Sequence, residues 1–78
     1  MGNDMKVDKT LDIKGLSAQR LKEVTQEILN MMAKGQILRV IADNAETDMA
    51  ISMVCEHLGC RLLSMEQDGG VVCLTIMK

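Results

Sequence analysis

TLDIKGLSAQRLKEVTQEILNMMAKGQILRVI, residues 10–41, changes its hydrophobic period twice, and those two changes decide the fold. Thr10-Leu11-Asp12-Ile13-Lys14 alternates apolar with polar residues, the period-2 pattern of a half-buried strand, and Gly15 closes it. Ser17 follows as an N-cap. Leu21, Val24, Ile28, Leu29 and Met32 then recur at helical spacing, with Lys22, Glu23, Gln26 and Glu27 between them, so a helix is expected over 18–33. Lys34-Gly35 supplies a cationic last turn and a left-handed C-cap. The β-branched, apolar run Ile37-Leu38-Arg39-Val40-Ile41 predicts a second, mostly buried strand.

Beyond it, Asp43-Asn44-Ala45-Glu46-Thr47 is a turn-rich link in which Thr47 or Asn44 can cap a second helix over 48–58, ended by Gly59. Residues 61–66 and 71–77 read as two strands joined by Asp68-Gly69-Gly70, where glycine supplies positive φ for a hairpin turn. The order βαβαββ predicts an α+β fold, a two-layer sandwich with both helices on one face of a four-stranded mixed sheet. Residues 1–9 are expected to form a flexible N-terminal lead and 10–78 a single domain, with no repeat or low-complexity tract dividing it.

Composition narrows the function classes. Seventy-eight residues, 47% apolar and 26% charged, suit one small domain. There is no Pro, Trp, Tyr or Phe, so the core must be filled by Leu, Ile, Val, Ala and eight Met, and aromatic stacking on bases is ruled out. Nine Lys and Arg stand against eleven Asp and Glu, which leaves no basic surface to release counterions from nucleic acid. No run approaches the roughly 20 apolar residues of a membrane span, and the polar start has no apolar signal core. The expectation is a cytoplasmic protein with neither membrane nor nucleic-acid partners. Cys55, Cys60 and Cys73 lie in apolar or helix-end contexts unlike a secreted disulfide framework and are read as reduced thiols.

From Leu11 onward the chain resembles the TusA/SirA-like family of small sulfur carriers, whose pattern runs LD-x-x-G-L-x-C-P-x-P, a helix, a glycine, a strand ending in A-D, and a second helix. The matching residues are Leu11-Asp12-Ile13-Lys14-Gly15-Leu16-Ser17, then Gly35, Ala42-Asp43, Gly59 and Asp68-Gly69, in register without insertion or deletion. The resemblance implies that the family's sulfur-bearing cysteine, at the start of the first helix, would fall at position 18. In the register of C-P-x-P this chain reads Ala18-Gln19-Arg20-Leu21, so the nucleophile and both motif prolines are absent, as is the proline usual in the second helix, where Ser52 stands. A helix N-terminus favours thiolate, the form that accepts and passes sulfur, and the methyl group of Ala18 cannot take that role.

With no family thiol, the expectation is no catalytic residue, and the fallback nucleophile is Cys60, which follows Gly59 and precedes the positive charge of Arg61. Cys55, in line with Ile51 and Leu58, and Cys73, inside the last strand, read as packing residues. Cys55-x-His57-x-x-Cys60 suggests soft-metal ligation, but residues 55 and 57 are about 200° apart around a helix, so no metal or other cofactor is expected. His57 reads as a solvated residue at the helix end. No phosphate-binding glycine motif occurs, and Asp12, Asp43, Glu46 and Asp48 read as solvated or turn-capping acids.

The expected function is a divergent TusA/SirA-like domain acting as a non-catalytic interaction or regulatory partner in sulfur relay. An active carrier using Cys60 is the alternative. RNA or ribosome binding is the second alternative, through the outline shared with the C-terminal domain of translation initiation factor 3, an analogy of fold alone. Ile51, Val54, Cys55 and Leu58 make one apolar face of the second helix. Met49 and Met53 lie one turn apart on the other side, either as core in a rotated helix or as an exposed adaptable patch. The partner-binding residues expected are Met49 and Met53 together with Ser17, Ala18, Gln19 and Arg20, and the partner is a sulfur-relay protein or a second copy of the chain, since a domain this small gains from association.

Overall fold

A computed structural model describes residues 6–78. Its elements are β1 (Lys9–Asp12), α1 (Ala18–Met31), β2 (Ile37–Ala42), α2 (Thr47–Leu58), β3 (Arg61–Asp68) and β4 (Val71–Met77). The sheet order is β1-β2-β4-β3. β1 runs parallel to β2, which requires the α1 crossover, and the other pairs are antiparallel. This is the α+β, four-stranded mixed sheet that the periodicity predicts.

Alternation along the two central strands sorts the sheet into faces. Leu38, Val40 and Ala42 from β2 and Val72, Leu74 and Ile76 from β4 join Leu21, Leu29, Ile51 and Val54 from the helices in one buried cluster. Ile37, Arg39, Ile41, Cys73, Thr75 and Met77 take the opposite face, which neither α1 nor α2 covers. Gly69 and Gly70, at φ +59° and +86°, form the two-residue turn that closes β3 onto β4, with Asp68 opposite Val71 as the last pair. A bulge between Leu62 and Ser64 shifts the register of β3.

Element ends depart from the sequence reading where side chains redirect the backbone. β1 starts at Lys9, and Asp8 donates its N–H to Ile37 O (2.9 Å) and accepts from Ile37 N through its carboxylate (2.9 Å). Lys9, the last residue of the expected lead, therefore belongs to the sheet and Asp8 is tied to its edge, while residues 1–5 lie outside the described residues. The strand stops at Asp12 because its carboxylate accepts from Lys14 N, turning the chain at Gly15. That backbone bond, followed by the Lys14 ammonium, holds the exposed Asp12 carboxyl below its ordinary range.

α1 ends at Met31, two residues early, with Met32 extended as the C-cap. Gly35 is not the helix cap. Gln36 donates its N–H to Ala33 O (3.1 Å) and accepts from Ala33 N through its side chain (2.8 Å), so Gly35, at φ +89°, is the left-handed residue of a turn into β2, and Lys34 lies outside the last helical turn. Neither expected cap of α2 takes the cap position, which Glu46 fills with no side-chain bond. Asn44 Oδ1 instead accepts from Glu46 N (2.8 Å), and Thr47 Oγ1 donates to Asn44 O (2.6 Å), bracing the turn just before the helix.

Methionine contributes less to the core than composition suggests. Met32 is buried, but Met31, Met49, Met53 and Met65 are exposed. The gap on α1 is filled by Thr25, fully buried between Leu21 and Leu29, while Val24 and Ile28 pack only partly against the core. Thr25 Oγ1 has no hydrogen-bond partner among the described residues. Thr25→Val, which keeps the branch and removes the unpaired hydroxyl, should therefore raise the unfolding free energy by about 1 kcal/mol in urea melts. A lowered midpoint would show that the hydroxyl is satisfied after all.

Candidate functional site

The N-terminal turns of α1 and α2 start side by side because the loops before them are tied together. Gly15 donates its N–H to Asp43 Oδ1 (2.9 Å), and Asn44 Nδ2 donates to Leu16 O (3.4 Å). Asp43 and Asn44 thus link the β1–α1 loop to the β2–α2 loop, a role sequence reading missed for both. Its only trace in the sequence is the strand-ending Ala42-Asp43 pair. Ser17 caps α1 as expected, its hydroxyl accepting from Arg20 N at 3.3 Å.

Between the two helices runs a groove of about 130 Å3 lined by Ala18, Lys22, Glu46, Met49, Ala50 and Met53. A neighbouring hollow of about 200 Å3, lined by Lys22, Gln26, Met53, Val54 and His57, extends along the same helices. Met49 is 67% and Met53 53% exposed, whereas Ile51, Val54 and Cys55 are buried, so α2 is not rotated to put the methionines in the core. Two of the sequence-predicted groups therefore meet in space. Ala18 opens α1 on one wall, and Met49 and Met53 form the other. Gln19 borders Ala18 on the outward side of α1. Ser17 and Arg20 do not line the groove: the first is spent on the cap, and the second pairs with Glu23 at 2.9 Å on an exposed surface.

The cysteines lie elsewhere. Cys60 follows Gly59 at the far end of α2, its N–H bonded to Cys55 O at 2.8 Å. Burial pushes the Cys60 thiol up against the opposing pull of the Lys78 ammonium, and burial, with Cys60 beside it, pushes Cys55 up to about 11. The cation that acts on the Cys60 thiol is thus Lys78 rather than the Arg61 expected from the sequence. Cys73 faces the side of the sheet opposite the helix layer. His57 is exposed, and among the described residues no three His, Cys, Asp or Glu side chains converge as metal ligands. No helix of the described residues is long and apolar enough to cross a membrane.

Residues 9–78 match the family model described as sulfurtransferase TusA. The sulfur carrier protein TusA of Pseudomonas putida GB-1 is 31% identical over 75 residues, which cover 96% of this chain and 94% of that protein. The protein of the same name in Pseudomonas entomophila L48 is matched to the same extent. A longer Aquifex aeolicus protein is 32% identical over 75 residues, and there the chain spans only 38% of its length. Among solved structures, the SirA-like protein of Desulfitobacterium hafniense superposes with a TM-score of 0.68 at 21% identity, covering 88% of this chain and 95% of that one, a likeness of fold.

Proposed function

Because the chain belongs to the TusA family of sulfur carriers, we propose that it keeps the family's docking architecture without its sulfur chemistry, as a non-catalytic interaction or regulatory partner in a cytoplasmic sulfur relay. The observation that carries this reading is the groove itself. At the helix start where the resemblance places the sulfur-bearing thiol stands the methyl of Ala18, walled by two exposed methionines. Flexible thioethers adapt to the shape of a protein partner, and exposed apolar side chains in a concave setting are the ordinary mark of an interaction site. Cys60 is a weaker basis for an active carrier, since burial opposes its thiolate and it lies at the other end of α2.

The test is to replace both methionines. Met49→Gln with Met53→Gln should leave the unfolding free energy within about 0.5 kcal/mol of the parent, because both side chains already meet water. It should also weaken capture of a sulfur-relay protein in pull-down or titration experiments. Unchanged capture would remove the groove as the docking surface, and a loss of several kcal/mol would contradict the exposure of these residues.

A further inference from the structure

We propose that Cys55 and Cys60 are a modification site, a dithiol at the C-terminal end of α2 that closes reversibly to a disulfide by exchange with a small disulfide of the glutathione class. The proposal goes beyond the groove reading, since neither thiol lines the groove or the hollow beside it.

The way α2 stops puts the two thiols together. Gly59, left-handed at φ 74°, and Cys60 both donate their N–H to Cys55 O, the latter at 2.8 Å. A bond from the second residue beyond the helix back into its last turn is the six-residue closure of a Schellman turn, whose two end side chains meet. With N–Cα at about 1.5 Å and Cα to its own carbonyl oxygen at about 2.4 Å, that 2.8 Å bond holds the two Cα atoms no more than about 6.7 Å apart. Disulfides span Cα separations of about 4.4–6.8 Å, so the backbone is already within bridging range. The side chains agree. Cys55 belongs to the buried cluster and Cys60 packs against it. Cys60 also raises the proton affinity of Cys55, a coupling strong only within about 6 Å. Cys73, on the other face of the sheet, is out of reach of both.

Cys60 is the more exposed of the two and has the Lys78 ammonium acting on it, so its thiolate opens the reaction. It attacks one sulfur of oxidised glutathione, forming a Cys60–glutathione disulfide and releasing one glutathione thiolate. Cys55 Sγ then loses its proton and attacks Cys60 Sγ, releasing the second glutathione thiolate. The two protons lost by the cysteines pass through solvent to the two leaving thiolates. Two protein thiols are thus oxidised as one glutathione disulfide is reduced. Burial keeps both protein thiols protonated near neutral pH, which slows the exchange toward hours without moving its end point.

The full chain, equilibrated with glutathione and oxidised glutathione at graded ratios, is quenched in acid, unfolded and alkylated. Labelling should pass from all 3 cysteines to Cys73 alone as the ratio becomes oxidising, with the tryptic peptide 40–61 lighter by two hydrogens. Cys73→Ser should follow the same curve with one label fewer throughout. Because the fold holds the thiols in place, the equilibrium constant should be about tenfold larger than for the same chain in urea, a potential about 30 mV more negative. Full labelling at every ratio would overturn the proposal. So would a bridge to Cys73, a glutathione adduct on Cys60 as the final oxidised product, or a constant no larger in the folded chain than in urea.

Discussion

Leu74→Ala should lower the unfolding free energy by about 3 kcal/mol, a large share of the roughly 4–12 kcal/mol available to a domain of this length. Leu74 is fully buried on a central strand, paired with Val40 on one side and Met65 on the other, with its side chain in the cluster beneath both helices. Neighbours held by two ladders cannot collapse into the space it would vacate, so the cavity contribution adds to the lost transfer free energy. Urea melts would measure it. A loss below about 1 kcal/mol would mean that the core is far more plastic than its packing implies.

Restoring the motif should have the largest functional effect. Ala18→Cys with Gln19→Pro should convert a chain that takes up little sulfur from a persulfide donor into one that gains a single sulfur by intact mass. Position 18 is the first residue of α1, where unpaired N–H groups and the positive dipole end stabilise a thiolate, and proline is tolerated in the first turn. Because that environment lowers the thiol's proton affinity, uptake should persist below the pH at which an ordinary thiol fades. Cys55 and Cys60, both pushed up by burial, should contribute only in alkali. A parent protein that already gains a stoichiometric sulfur, lost on Cys60→Ser, would replace the interaction reading with that of an active carrier.

The element order was legible because each segment's hydrophobic period agrees with its surroundings. Leu11 and Ile13 alternate, Leu21 and Leu29 share a helix face, and Gly59 and Gly69-Gly70 stop the chain where stops are needed. The ends were less legible, since they depend on single side chains bonding backbone a few residues away. Gln36 reassigns Gly35 from helix cap to turn, and Asn44 braces α2 from outside the cap. Thr25 carries no apolar signal in the sequence, yet it lies fully buried on the same helix face as Leu21 and Leu29. The two methionines were recognised as off the core stripe, but their meeting with Ala18 is a tertiary fact. It follows from the ties made by Asp43 and Asn44 between loops 28 residues apart, which no local pattern encodes.

The two outer strands bear on how the protein behaves when crowded. β1 is only 4 residues long, and β3, though it has 8, is bulged between Leu62 and Ser64 and carries Arg61, Glu66 and Asp68. A short strand offers few unpaired backbone groups to a stranger, and a bulged, charged one presents them out of line. Neither rim is therefore a ready template for open-ended strand addition, so the chain should resist fibrillar growth at concentrations where an uninterrupted apolar border would invite it.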